Sequence, residues 1–337
     1  MARIGYHCSH EQYAPADLLR LVRRAEEAGF GSAMCSDHFH PWADAQGHGG
    51  FAWSWLGAAL QATSLSFGVV TVPGGWRYHP AILAQAGATL AAMYPGRFWM
   101  APGSGESLNE HVVGQGWPDK PERNARLREA CDVMRALWAG ETVNHRGLIT
   151  VEDAKLYDLP AEPPRIVGAA LTPETAEWMG SWADGLITVV GERDSMRRII
   201  DAFRRGGGEG KPLFLQAQLS WAATDAEAVR MAHEQWKYLQ FPSSLLAQLR
   251  TPADFEAAAQ HVRPNDVAKR VRCSASPDQH LEWLRGDLEL GFEEINLHCI
   301  GREVQERFID LFGERIVPEL ARAEGAEGGD GTRGRNG

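Results

Sequence analysis

The chain has 337 residues, 44% of them hydrophobic and 23% charged, and carries a formal net charge of −10. That charge argues against a general nucleic-acid surface or a patch for anionic membranes, while the length suits one α/β barrel with insertions or two smaller domains. No apolar run reaches a membrane span, and Met1-Ala2-Arg3-Ile4-Gly5-Tyr6 lacks the apolar core of a signal peptide, so a cytoplasmic protein working on small molecules is expected.

In chain order, residues 3–8 read as a strand and Ser9-His10-Glu11-Gln12-Tyr13 as the loop at its end. Leu18, Leu19, Val22, Ala25 and Ala28 recur at helical spacing over 16–28, with Pro15 near the start and Gly29 as the stop. A buried strand over 31–36 follows. The cycle continues with a helix over 54–63, a strand over 65–72, a turn-rich loop, a helix over 79–93 entered through Pro80, and a strand over 97–101. Such alternation calls for a parallel sheet with right-handed crossovers.

Residues 122–138 form a long helix with Leu127, Val133, Met134 and Leu137 inward, and 142–147 resembles a hairpin inserted before 148–157. Strands over 165–170, 185–190 and 214–221 resume the pattern, with helices over 173–182 and 225–238, the latter capped by Thr224. Residues 239–264 read as a mostly helical insertion over the site. A helix over 277–291, a strand over 294–299 and a helix over 304–323 close the chain, and the tail from 324 to 337 has no apolar face and is expected to be disordered. Eight strands in this order fit a single (β/α)8 TIM barrel over 1–323. No Gly-x-Gly-x-x-Gly opens a helix after the first strand, which disfavours a dinucleotide-binding domain. Cys8, Cys35, Cys131, Cys273 and Cys299 are scattered, odd in number and without zinc spacing, so reduced, mostly buried thiols are expected.

Three polar constellations sit at strand ends, where α/β proteins place chemistry. In Ser36-Asp37-His38-Phe39-His40-Pro41-Trp42 a histidine can act as general base or be a structural group satisfied by a carbonyl. The spacing of Asp37, His38, His40 and His48 matches no recurrent metal motif. Gly103-Ser104-Gly105-Glu106-Ser107-Leu108-Asn109-Glu110 allows close backbone approach to a ligand beside a carboxylate, or is a tight turn with a solvated Glu. Arg77-Tyr78-His79-Pro80 offers Arg77 either as an anion holder or as a salt-bridge residue.

These motifs, with Ala183-Asp184-Gly185, resemble the luciferase-like superfamily of flavin and deazaflavin oxidoreductases, and within it the branch of the deazaflavin-dependent glucose-6-phosphate dehydrogenases, over about residues 3–322. The resemblance implies a barrel that holds a flavin-type ring at the carboxyl ends of its strands, usually in a homodimer. It implies His38 as base, Trp42 as the wall at the reacting carbon, Glu106 as acid beside the ring and Glu11 in the pocket. It further implies cofactor contacts from Asp37, from Val70 and Thr71 through a cis peptide, and from Gly103, Ser104 and Gly105. Ala169, Ala170 and Thr172 would meet the phosphate tail.

Two departures bear on the substrate and the cofactor. The regions that carry phosphate-binding lysines in the sugar-phosphate enzymes read Val190-Gly191-Glu192-Arg193 and Asp254-Phe255-Glu256-Ala257-Ala258 here, which disfavours glucose 6-phosphate. The stretch that receives the cofactor phosphate reads Ala169-Ala170-Leu171-Thr172, without its two glycines. The implied activity is hydride transfer between coenzyme F420, the deazaflavin, and a small alcohol, lactol or carbonyl compound. An FMN-dependent monooxygenase or flavin reductase, favoured by Leu171-Thr172, is the alternative, and a catalytically silent flavin-binding protein is a third reading.

Overall fold

The computed structural model describes residues 2–321, so the expected disordered tail at 324–337 lies outside the described residues. Strands β1 (Arg3–Cys8), β2 (Ser32–Ser36), β3 (Ser66–Thr71) and β4 (Phe98–Pro102) come first. The hairpin β5 (Val143–Arg146) and β6 (Thr150–Ala154) is followed by β7 (Arg165–Ala169), β8 (Gly185–Val189), β9 (Leu213–Trp221), β10 (Arg272–Ser274) and β11 (Glu294–Cys299). Eight of these, β1, β2, β3, β4, β7, β8, β9 and β11, pair in parallel in that order and close on themselves through β8–β9 and β11–β1, the TIM barrel read from the sequence.

The helices form because their apolar residues fall on one stripe that the barrel covers. Pro15–Glu27 buries Leu18, Leu21, Val22 and Ala25, and Gly29, at φ 96°, turns the chain into β2 in a left-handed conformation that side-chain-bearing residues resist. Outward-facing strand residues such as Ile4, Tyr6, Leu215 and Leu297 complete the core between barrel and helices. Inside the barrel Met34, Trp99, Ala101, Val167, Ile187 and Phe214 form a second apolar cluster. Gly68 makes room for it, since a Cβ there would lie 2.1 Å from the Trp99 ring.

The hairpin and all eight barrel strands match the reading to within the usual uncertainty of element ends. The sequence reading assigned no element to 191–213, where the structure has the helix Arg193–Phe203, whose Met196, Ile199, Ile200 and Phe203 pack inward at helical spacing. It also left out β10, three residues that pair with the far end of β9. The insertion is helical as expected, with Ser243–Leu246 and Pro252–Ala259, and the further turn Pro264–Val267. All five cysteines are free, four of them buried. No helix among the described residues is long and apolar enough to cross a membrane.

Candidate active site

Glu11, Asp37, His38, Trp42, Val70, Thr71 and the stretch 103–106 follow or end β1, β2, β3 and β4 at their carboxyl ends, while Ala169, Ala170 and Thr172 lie at the end of β7. After β1 the chain turns through Ser9, and the buried Glu11 points across to β2. One of its oxygens accepts from Ser9 Oγ at 2.8 Å and from Ser36 Oγ at 2.7 Å; the other lies 3.1 Å from His38 Nδ1, outside hydrogen-bond geometry, and becomes its ion-pair partner when the imidazole takes up a proton. Burial pushes the Glu11 carboxyl up, but the neighbouring His38 and the two serine hydroxyls outweigh it, so Glu11 titrates below its ordinary value and is ionised. Burial lowers His38 more than Glu11 raises it, which leaves a neutral imidazole near pH 7. A neutral imidazole beside a fixed carboxylate is what a general base requires.

The Trp42 ring lies 5.2 Å from His38 on one side and meets Phe255 of the insertion edge-on at 5.1 Å on the other. Tyr238, Leu246, Phe255 and Ala259 pack with Ala43 and Leu108 in one apolar cluster that Trp42 joins. Leu246, Phe255 and Ala259 of the insertion, with Tyr238 before it, thus form an apolar roof that Trp42 joins.

Glu106 ends the loop after β4. Gly105, at φ 84°, sets the turn, and a Cβ there would meet Val72 at 2.9 Å and the Trp117 ring at 3.1 Å. The Glu106 backbone carbonyl accepts from Asn109 and Glu110 to start the turn Ser107–Glu110, while its side chain makes no cap bond and stays half-buried. Burial, together with Glu11 and Glu110, raises its carboxyl to about 8 against the opposing pull of Lys120. Glu106 is thus protonated at neutral pH and able to donate. Ser104 Oγ accepts from Lys120 Nζ at 2.5 Å, and Gly103 N donates to the Thr71 carbonyl at 2.8 Å.

Asp37, implied by the resemblance as a cofactor contact, is surrounded by protein donors. Its Oδ1 accepts from Arg77 Nη1 at 3.1 Å and Tyr78 OH at 2.9 Å, and its Oδ2 from Thr71 Oγ1 at 2.7 Å and Trp53 Nε1 at 3.3 Å. A carboxylate offers about four acceptor sites, and here protein donors fill them. These bonds tie the segment at Asp37 to Trp53, Thr71, Arg77 and Tyr78, and the Thr71 hydroxyl is used in them. Arg77, offered as an anion holder or a salt-bridge residue, is a buried salt-bridge residue between Asp37 and Glu110, 3.4 Å from the latter. Glu110, pushed up to about 7 by burial against the pull of Arg77, is a buried acidic neighbour to which the sequence reading gave no role. Its signal was a second acid four positions after Glu106, one turn on. Ser9 and Ser36 were missed as the groups that orient Glu11.

The expected cis peptide at Val70–Thr71 is absent: the peptide bonds of the described residues are trans. Strand β3 runs regularly through both residues, which pair with Ala101 and Pro102 of β4. Val70, Ala101 and Ala169 border the apolar cluster inside the barrel and give the site a floor of small side chains. Ala170 is buried and Leu171 exposed, while the Thr172 hydroxyl caps the helix Pro173–Gly180 by accepting from Thr175 N at 3.3 Å. Pro173 has no N–H, so this helix start offers one free amide fewer to a phosphate.

The profile of the luciferase-like monooxygenase family matches residues 1–294. The chain belongs to that family. Two luciferase-like relatives, the F420-dependent glucose-6-phosphate dehydrogenases of Nakamurella multipartita and Beutenbergia cavernae, are 36% and 35% identical, covering 94% and 96% of this chain and 96% and 99% of their own. The solved structure of an F420-dependent secondary alcohol dehydrogenase in complex with an F420-acetone adduct is 30% identical, with a TM-score of 0.86 over 95% of this chain and 99% of the other. A coenzyme F420 dependent tetrahydromethanopterin reductase from Methanopyrus kandleri, 19% identical with a TM-score of 0.76 over 94% of this chain and 99% of its own, shares the fold.

Proposed function

We propose that this luciferase-like protein is an F420-dependent dehydrogenase that oxidises small, uncharged secondary alcohols. The observation that carries the reading is the pairing of a neutral His38 on ionised Glu11 with Trp42 under an apolar roof. The cations that a sugar phosphate requires are missing or occupied. Arg193 is held by Glu289 at 2.7 Å and by the Gly286 carbonyl at 3.0 Å; in the roof, Glu256 binds Lys237 and Tyr238.

The residues present fit the deazaflavin. The floor of Val70, Ala101 and Ala169 suits a planar ring, Gly103 has no atom closer than 4.0 Å to a notional Cβ, and Glu106 holds a proton at its carboxyl. Coenzyme F420, when bound, supplies the two-electron acceptor for the hydride. His38 removes the hydroxyl proton of the alcohol, Glu11 stabilises the imidazolium that results, and Trp42 with Phe255 excludes water from the reacting carbon. Glu106 holds the proton on the cofactor side, and Asp37, through Arg77, Tyr78, Thr71 and Trp53, keeps the loop in place.

The test is loss of the visible absorbance of oxidised F420 on mixing purified protein with 2-propanol or with glucose 6-phosphate. Reduction by 2-propanol alone is expected; reduction by glucose 6-phosphate would overturn the substrate class. Titration with FMN is the control, because Leu171 in place of a glycine favours that cofactor, and tight FMN binding without F420 binding would move the protein to the monooxygenase or flavin-reductase reading. A homodimer, as the resemblance implies, is expected by sedimentation.

A further inference from the structure

A chain of buried amides runs beneath the site. Gln12, Gln46 and Gln235 are all at most 4% exposed. Gln12 Nε2 donates to the Ile300 carbonyl at 2.9 Å and to Gln235 Oε1 at 3.1 Å, which leaves Gln12 Oε1 to accept from His298 Nε2 at 3.0 Å. Both amide hydrogens are used, so His298 must present Nε2–H, and its Nδ1 then faces Gln216 Nε2 at 3.4 Å. Burial drives His298 down to about 3 and stacks it on His7 at 4.2 Å, so the ring stays neutral and this arrangement does not titrate in the working range.

From Gln235 the chain continues through its backbone carbonyl, which accepts from Gln46 Nε2 at 3.4 Å. Gln46 Oε1 accepts the backbone N–H of Trp42 at 2.8 Å, and Gln46 N donates to the Ala43 carbonyl at 3.0 Å. The same loop is tied back to the base, because His48 N donates to the Glu11 carbonyl at 3.1 Å. Flipping the Gln46 amide would set a donor against Trp42 N–H and an acceptor against the Gln235 carbonyl, so the orientation is unique.

We propose that Gln12, Gln46 and Gln235 act as one unit that positions Trp42 against the His38–Glu11 pair and so sets the geometry of the substrate pocket. The proposal deepens the dehydrogenase reading and rests on it for the role of Trp42. Apolar packing alone would bury the same volume without fixing direction, whereas the hydrogen bond from Trp42 N–H to Gln46 Oε1 fixes the backbone from which the Trp42 ring projects. Gln12 and Gln46 never touch each other in these bonds; they meet at Gln235, so a change at 12 must be felt at Trp42.

The test uses Gln12→Met, Gln46→Met and the double variant of the full chain. In protein labelled with fluorotryptophan, the Trp42 fluorine resonance, identified by its loss in Trp42→Phe, is expected to shift or broaden in both single variants. This readout needs no activity, so it separates failure of the proposal from failure of the function. With F420 and 2-propanol, each single variant is expected to raise the alcohol KM by about tenfold, the scale of one net hydrogen bond, with F420 affinity within about twofold. The double variant should raise it by less than the product. Gln46→Glu keeps the acceptor for Trp42 N–H but sets a second acceptor against the Gln235 carbonyl, so it should leave the loss unrecovered. A Trp42 resonance unmoved in Gln12→Met, or KM effects that multiply, would overturn the proposal.

Discussion

Removal of the His38 imidazole tests the chemistry most directly. A positioned general base contributes about 10²–10⁴-fold, which is about 2.7–5.4 kcal/mol of barrier at about 1.36 kcal/mol per tenfold. The structure places His38→Ala in the upper half of that range. The nearest substitute, Glu11, titrates below its ordinary value and already accepts from Ser9 and Ser36, so it is a weak and occupied base. Asp37 is saturated by four donors and cannot step in. The expected result is a fall in the rate of F420 reduction by an alcohol of about 10³–10⁴-fold, followed by stopped-flow absorbance, with the F420 dissociation constant within about threefold. Glu11→Gln complements it. Because Glu11 raises His38 against burial, the variant should move the acid limb of the kcat/KM–pH profile to lower pH and weaken the base. If His38→Ala kept turnover within about fivefold, the imidazole would be structural and the base would lie elsewhere.

In wild type, kcat/KM should rise as His38 loses its proton, below its ordinary value of 6.5, and fall as Glu106 ionises near 8, so Glu106→Gln should abolish the alkaline limb. The folded Glu106 is raised above its ordinary 4.5, so wild type loses stability as pH climbs from about 4.5 to about 8; Glu106→Gln should melt progressively higher than wild type across that window. Asp37→Asn leaves Arg77 facing an amide and should cost about 3–5 kcal/mol in urea denaturation, the scale of a broken buried ion pair; a loss under about 1 kcal/mol would show that the Arg77–Glu110 contact alone suffices. Gly68→Ala drives a Cβ onto the Trp99 ring inside the barrel and should cost about 1–3 kcal/mol or more by the same assay, with the F420 site disturbed through the floor above it.

Much of this molecule is local and therefore legible in one dimension. The barrel strands announce themselves as short apolar runs, the helices as apolar residues at 3.6-residue spacing between a proline or Thr start and a glycine stop. Their strict alternation left the parallel barrel as the economical closure, chemistry placed at strand ends singled out His38 and Glu106, and the family resemblance added Glu11 and the role of Trp42. What tertiary structure alone decided is which polar atoms are free. Asp37 lies next to His38 in sequence, yet its donors come from Trp53, Thr71, Arg77 and Tyr78, on segments that the pairing of β2 with β3 brings together. Gln12 and Gln235 stand 223 positions apart and share one hydrogen bond. Periodicity reports which face of an element is buried, because burial follows the geometry of that element; it carries no record of the partner a buried polar group finds, because that partner is fixed by packing between elements distant in the chain.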